Sequence, residues 1–156
     1  MSMTSPPSKL TIVIDSREQR PFSFAAEVAG SVRKALPAGD YSIEGNETVI
    51  AVERKTLEDF ISTLVHARER FIRELTKLRD YRFAWIIVEG SLDEVLRGRY
   101  ASRVQPAALL GLTTWVMTEY QIPVLFAHDR PCARALTESL LVSAVKKMTR
   151  EKGNEI

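Results

Sequence analysis

Cysteine is nearly absent from this chain: among its 156 residues only Cys132 carries a thiol. One cysteine excludes an internal disulfide, and with only two histidines beside it a structural zinc site is excluded as well. Long hydrophobic runs are also missing, since no apolar stretch approaches the roughly 20 residues that a membrane-spanning helix requires. We therefore expect a soluble protein of a reducing compartment, the cytoplasm, with no membrane partner.

A large excess of charge of either sign is lacking too. Lysine and arginine number 22 against 20 aspartates and glutamates, and this net charge of +2 neither requires nor excludes a nucleic-acid partner. What is present is apolar: 45% of the residues are hydrophobic, enough for one domain with a sizeable core. We expect a flexible tail over residues 1–8, one domain over 9–150, and a charged, frayed C-terminus over 151–156.

Strand patterns and helix patterns alternate along the chain. Short apolar, β-branched runs predict strands over 10–14, 31–36, 83–89 and 122–126, and a β-hairpin whose arms are 39–43 and 49–55. Helical stripes predict helices over 56–79, 91–98, 105–120 and 131–147, and residues 16–29 are predicted to form a loop with a short helical piece. This alternation predicts an α/β domain whose mixed sheet is covered by helices on both faces.

Three polar side chains stand out on the predicted hairpin: Asp40, Glu53 and Lys55. Residues two apart on a strand point to the same face, so Glu53 and Lys55 project together, and Asp40 on the other arm can meet them. Two carboxylates beside a lysine suit a divalent cation that activates water against a phosphodiester. The alternative is an exposed strand end, where Lys55 forms an ion pair with Glu53 or Glu58.

Two further carboxylates follow the first predicted strand, in Asp15-Ser16-Arg17-Glu18. Taken alone, Asp15 would cap a turn and Glu18 would be solvated. The strand ends where sites tend to form in an open α/β sheet. With Asp40 and Glu53 expected nearby we favour a metal role, because hard cations are held by clustered oxygens.

The hairpin sequence resembles a known family signature. Gly39-Asp40, followed by Val-Glu-Arg-Lys-Thr-Leu-Glu-Asp over 52–59, is similar to the G-D…E-R-K-x-x-x-D signature of the XPF-type structure-specific endonuclease family. Residues 15–18 resemble that family's first acidic segment, residues 68–75 its basic helical stretch, and residues 85–90 its next apolar strand. The resemblance extends over about residues 10–140.

The resemblance implies a restriction-endonuclease-like fold and cleavage of branched or flap DNA in repair, recombination or replication. It implies Mg²⁺ as cofactor, with Mn²⁺ as a substitute. Carried over residue by residue, the metal positions are Asp15, Glu18, Asp40 and Glu53. The positions of the catalytic signature are Asp40, Glu53, Arg54, Lys55 and Asp59.

Two members of the signature need a separate interpretation. Arg54 lies on the strand face opposite Glu53, so we assign it a structural or phosphate contact rather than chemistry. Asp59, one turn into the following helix, either bonds Arg54 or Arg17 or simply caps the helix. We assign Arg17 to the scissile phosphate, because a planar guanidinium suits phosphate recognition.

The basic helical stretch carries Arg68, Arg70 and Arg73, which we expect to follow the DNA backbone. The alternative is a solvated face, on which Arg70 pairs with Glu74 four residues on.

Family members pair through their nuclease domains, so we expect a homodimer. We expect it to be located with the cell's DNA, in the nucleoid of a bacterium or the nucleus of a eukaryote. Family members usually carry a helix-hairpin-helix domain as well, which we do not expect within these 156 residues.

Two other functions remain open. A resolvase or a restriction-type nuclease would use the same metal architecture. A nuclease-like domain that only binds DNA is the second, although the complete set of carboxylates together with Lys55 argues against it.

Overall fold

A computed structural model describes residues 9–24 and 29–154 of the chain. The strands are β1 (Leu10–Asp15), β2 (Ala29–Lys34), β3 (Tyr41–Ile43), β4 (Ile50–Thr56), β5 (Phe83–Glu89) and β6 (Val124–Phe126). The helices are α1 (Leu57–His66), α2 (Arg68–Arg79), α3 (Leu92–Leu96), α4 (Pro106–Tyr120) and α5 (Arg130–Gly153). Within these ranges, no helix is both long and apolar enough to cross a membrane.

The six strands form one mixed sheet in the order β2-β1-β3-β4-β5-β6. β1 is parallel to β2, β3 is antiparallel to both β1 and β4, and β4, β5 and β6 run parallel to one another. Helices α1, α2 and α4 contribute to the core on one face, and α5 packs on the other. The predicted α/β domain with a mixed, doubly covered sheet is confirmed.

The alternation of side chains along β4 and β5 divides the core into two clusters. Ala51, Ile86 and Val88 lie in the cluster that contains α1, α2 and α4. The residues between them, such as Val52 and Ile87, lie in the cluster on the α5 face. This alternation determines which way the polar residues at the end of β4 point.

The predicted hairpin is confirmed, since β3 and β4 pair antiparallel with Tyr41 opposite Val52. Gly39 precedes it with a φ of +76°, a left-handed conformation that side chains rarely adopt. A Cβ at Gly39 would lie 3.1 Å from the Ala51 Cβ and 3.2 Å from the Val52 carbonyl oxygen. Glycine therefore lets the chain approach β4 closely just before Asp40.

The single helix predicted over 56–79 is wrong: the chain breaks it at Ala67, whose φ of −126° and ψ of 36° are not helical. Thr56 does cap α1, accepting a hydrogen bond from the Asp59 N–H. Because of the break, Phe60 of α1 and Phe71 of α2 meet edge to face, with ring centroids 6.5 Å apart. Two shorter helices thereby place both apolar stripes on one core.

Two smaller expectations also need revision. Helix α5 extends to Gly153, so residues 151–153 are helical rather than frayed, and Lys147 Nζ lies 3.1 Å from Glu151 Oε1. The loop expected over 16–29 shows no helix over 16–24, β2 begins at Ala29, and residues 25–28 lie outside the described ranges.

Candidate active site

Asp40 is held between two strands by its backbone. The Asp15 N–H donates to the Asp40 carbonyl oxygen at 2.8 Å, and the Asp40 N–H donates to the Val52 carbonyl oxygen, also at 2.8 Å. Its side chain is fixed too, because the Arg54 N–H donates to Asp40 Oδ2 at 2.8 Å. The carboxylate is thus oriented by the strand that carries Glu53 and Lys55.

Asp15, Asp40, Glu53 and Lys55 line one cleft of about 250 Å³. Glu53 and Lys55 are largely buried, and Lys55 Nζ lies 3.7 Å from Glu53 Oε1. Lys55 Nζ also lies 5.4 Å from the centre of the Phe71 ring, whose face attracts the ammonium group. The structure therefore brings together four of the residues that the sequence singled out.

Burial raises the pKa of both central carboxylates. Burial raises the pKa of Asp40 to about 6, against a hydrogen bond from the Arg54 N–H that lowers it, and the charge of Glu18 raises it further. Burial also raises the pKa of Glu53 well above its usual range, and the charge of Asp40 adds to this, while Lys55 acts in the opposite direction. Lys55 is the nearby cation that lowers the pKa of both carboxylates, and it does not offset their burial, so the pair is incompletely neutralised.

This donor set fits Mg²⁺. Within the described residues, no three histidine, cysteine or acidic side chains are arranged to hold a metal ion. Mg²⁺ does not need such a set, because it usually binds one or two carboxylates and completes its octahedron with waters and substrate phosphate oxygens. Asp40 and Glu53 supply two carboxylates on a cleft that is open to solvent.

Asp15 lines the same cleft with its carboxylate already occupied. Arg17 donates to both oxygens, Nε to Oδ2 at 3.0 Å and Nη2 to Oδ1 at 3.3 Å, and the Leu36 N–H donates to Oδ1 at 2.9 Å. Burial acts to raise the pKa of Asp15, but these hydrogen bonds outweigh it and the pKa is lowered. Arg17 stays largely exposed at the rim, where it can reach a ligand.

Glu18 and Arg54 lie away from the cleft, contrary to the ligand position expected for Glu18. The Arg54 Nη1 is 3.5 Å from Glu18 Oε1, and the Arg54 Nε donates to Glu89 Oε1 at 2.6 Å. Both Arg54 and Glu18 side chains are only 8% exposed. This placement follows from the alternation of side chains along β4, which points Arg54 to the α5 face, where Glu18 contacts it.

Asp59 is exposed in the first turn of α1, where the helix dipole favours a carboxylate. Across the described part of the chain, no hydrogen bond or ion pair joins it to Arg54 or Arg17, the partners considered for it. It lines a second hollow of about 230 Å³ together with Lys55 and Arg70. Its observed contact is the helix cap through its backbone.

Of the basic residues expected to bind DNA, Arg17 and Arg70 line the cleft. Arg68 Nε donates to the Leu64 carbonyl oxygen at 3.3 Å, and Arg73 is exposed away from the cleft lining. Sequence reasoning left Glu74 and Lys77 out of the site, although both line the cleft. Their helical spacing, four and seven residues after Arg70, is the signal that places them on the same side of the helix as Arg70.

A family model described as the ERCC4 domain matches residues 14–140 of the chain. Two solved structures of XPF from Aeropyrum pernix are similar to it in fold and sequence. One is 27% identical, with a TM-score of 0.66, over 86% of this chain and 61% of that chain. The other, XPF in complex with DNA, is 28% identical, with a TM-score of 0.69, over 89% of this chain and 66% of that chain.

A relative of known sequence has the name "Putative ATP-dependent RNA helicase MJ1505" and comes from Methanocaldococcus jannaschii. It is 27% identical over 147 residues, which are 94% of this chain and 17% of the relative. The chain thus spans a small part of this relative's length and less than two thirds of each XPF chain. The ERCC4 match extends over most of the chain, and the mixed sheet with helices on both faces is that of the XPF structures. The chain therefore belongs to the ERCC4 domain family of XPF-type nucleases.

Proposed function

We propose that this domain is a metal-dependent DNA endonuclease that cleaves phosphodiester bonds in branched or flap DNA. The observation that carries the proposal is the buried pair Asp40 and Glu53, with raised pKa values, beside Lys55 in an open cleft. The similarity to an XPF that was solved in complex with DNA supports DNA as the substrate.

In this proposal Asp40 and Glu53 would hold Mg²⁺, or Mn²⁺ in its place, and Asp15 lines the same cleft. The bound ion supplies an activated water and offsets negative charge on the phosphate. Lys55 orients the attacking water or a phosphate oxygen, because its ammonium group is held next to Glu53. Glu18 acts at a distance, through its charge on Asp40 and its contact with Arg54.

The rim of the cleft would hold the DNA backbone. Arg17, Arg70 and Lys77 line it, and Arg68 and Arg73 extend the positive charge along α2. Each phosphate contact that a cation makes releases counterions, so replacing Arg70 by alanine should weaken binding at all sequences and reduce its salt dependence. A titration of labelled flap DNA at several salt concentrations measures both effects.

We further propose that the domain acts as a homodimer in DNA repair, recombination or replication. The support for the homodimer is the resemblance to a family whose members pair through their nuclease domains. Sedimentation equilibrium over a range of protein concentrations tests it directly, and a mass of one chain at every concentration would contradict it.

The test of the function is a cleavage assay on labelled flaps, four-way junctions and linear duplex with Mg²⁺, Mn²⁺ or EDTA. A flap with an RNA arm belongs in the set, since one relative is named as an RNA helicase. We expect cleavage of branched DNA that requires the metal. Cutting of linear duplex at a fixed sequence would indicate a restriction-type enzyme, and exclusive cutting of junctions a resolvase.

Variants separate chemistry from binding. Asp40→Asn and Lys55→Ala should abolish cleavage while flap binding in EDTA persists. The matched controls are Glu119→Gln and Lys146→Ala, which change exposed residues outside the cleft. Full activity of either cleft variant would contradict the proposal, and DNA binding by the wild type without any cleavage would favour a non-catalytic domain.

A further inference from the structure

A group of four charged side chains lies on the sheet face opposite the cleft, and we name it the Arg54 cluster: Glu18, Arg54, Glu89 and Arg130. The first three are largely buried, and Arg130 is 33% exposed. Arg54 lies between the two acids, and Arg130 Nη1 is 3.4 Å from the same Glu89 oxygen that accepts from Arg54. The Glu89 side chain is only 12% exposed. Two positive and two negative charges leave the cluster neutral, so each buried charge has a partner.

The cluster joins the N-terminus of α5 to the loop that follows β1. Arg130 Nη2 donates to the carbonyl oxygens of Arg20 and Pro21, at 2.7 and 3.1 Å. Both guanidinium groups lie over the Phe22 ring, that of Arg54 at 5.4 Å and that of Arg130 at 4.8 Å from its centre. The loop is thereby clamped against β4 and α5.

The clamp continues to the residue after Asp40. The Phe22 ring stacks on the Tyr41 ring at 5.1 Å, and the Phe22 N–H donates to the Tyr41 hydroxyl oxygen at 2.9 Å. On β4, the Arg54 N–H holds Asp40 Oδ2, and Arg54 stands between Glu53 and Lys55 in sequence. A shift of the Arg54 side chain would therefore move the backbone that orients all three cleft residues.

We propose that Glu89 and Arg130 are positioning residues for the metal site, acting through Arg54 on the orientation of Asp40 and Glu53. This inference rests on the proposed function. Neither residue lines the cleft, so neither contacts the metal or the DNA phosphate there. Partners that orient metal ligands from behind typically change metal affinity or activity about 10- to 100-fold when they are replaced.

The chain offers a closely matched control. Arg134, also on α5, lies with Nη1 3.0 Å from Glu138 Oε2, and the two side chains are 35% and 13% exposed. The corresponding values for Arg130 and Glu89 are 33% and 12%. Arg134→Met therefore removes an arginine–glutamate pair of the same burial from the same helix, without a path to Asp40.

The experiment measures Mn²⁺ affinity by electron paramagnetic resonance, the exchange rate of the Arg54 amide, and flap cleavage. We expect Arg130→Met and Glu89→Gln each to weaken Mn²⁺ binding about tenfold and to speed Arg54 amide exchange. The double variant should bind Mn²⁺ no more weakly than the single variant with the lower affinity, because both substitutions act through the guanidinium group of Arg54. Arg134→Met should leave all three quantities unchanged, and Arg130→Lys should recover part of the affinity by restoring the charge.

Thermal unfolding of each variant separates a positioning role from a stability role, because a positioning residue changes the Mn²⁺ affinity of a protein that is still folded at the temperature of the measurement. Equal Mn²⁺ affinity in Arg130→Met and the wild type, or an equal loss in Arg134→Met, would overturn the positioning role. If Arg130→Met does not fold, Arg130→Lys and Glu89→Gln decide the same question. A wild type that binds Mn²⁺ but cleaves nothing would refute the proposed function and still leave the affinities to judge the positioning role. A wild type that binds no Mn²⁺ would refute both.

Discussion

The two faces of β4 have opposite electrostatics, although their residues alternate along one strand. On the cleft face, Glu53 and Asp40 are buried with raised pKa values, and Lys55 is the ammonium group that faces them. On the α5 face, the Arg54 side chain is only 8% exposed, but it forms ion pairs with Glu89 and Glu18 that neutralise its charge. The Glu53 and Arg54 side chains are similarly shielded, at 14% and 8% exposed, and the degree of neutralisation differs.

This difference separates the site from its support. Buried charges that lack a full complement cost stability, and a divalent cation would supply the missing positive charge at Asp40 and Glu53. Buried charges with good partners hold elements together but gain little from a ligand. We therefore expect substitutions on the cleft face to reduce activity and those on the α5 face to reduce stability first.

The largest effect is expected from Asp40→Asn. Cleavage should be abolished, a loss on the order of a thousandfold or more, since the variant removes a metal carboxylate whose role is worth several kcal/mol. The free energy of unfolding without metal should rise at pH 7, because a repelled charge is removed from a buried position. Single-turnover cleavage and urea unfolding measure the two effects, and a drop in stability would contradict the comparison.

Glu89→Ala is expected to lower the free energy of unfolding, whereas Asp40→Asn raises it. Arg54 would keep Glu18, at 3.5 Å, as its acidic partner inside a buried site, and removing one partner of a buried pair costs about 3–5 kcal/mol. Urea unfolding should show this loss in the metal-free protein. A loss below about 1 kcal/mol would place the pair among weak surface pairs instead.

A smaller effect concerns pH. Because the pKa of Asp40 rises from 3.8 to about 6 on folding, the folded state binds more protons between these values, and stability falls as pH rises through this window. The difference in unfolding free energy between Asp40→Asn and the wild type should therefore grow by about 2 kcal/mol from pH 4 to pH 6. A difference independent of pH would contradict the raised pKa.

The smallest effect is expected from the exposed ion pair on α3. Arg97 Nε donates to Asp93 Oδ1 at 2.7 Å, yet both side chains are about 60% exposed, 62% and 59%. Surface pairs gain little, so Asp93→Ala should leave the urea midpoint unchanged within error. If Asp93→Ala shifted the urea midpoint as much as Glu89→Ala does, burial would not explain why one ion pair stabilises the protein more than the other.

Most strands, the hairpin and the cleft residues followed from local pattern. The period of two on a strand put Glu53 and Lys55 on one face of β4, and Gly39 next to Asp40 marked the turn before β3. The boundaries of helices were less certain, because nothing local marks Ala67 as a break. Tertiary packing selects that break, as it allows Phe60 and Phe71 to share one core.

What the sequence by itself determined is the mixed α/β fold and the identity of Asp40, Glu53 and Lys55 as neighbours on one edge. Only the tertiary structure decided that Glu18 turns to Arg54, that Glu74 and Lys77 reach the cleft, and that Arg130 closes a cluster with Glu89. Glu18, Arg54, Glu89 and Arg130 are far apart in sequence. Their pairing depends on where the loop, the sheet and α5 come to rest, because charges find partners only after the core has set the distances.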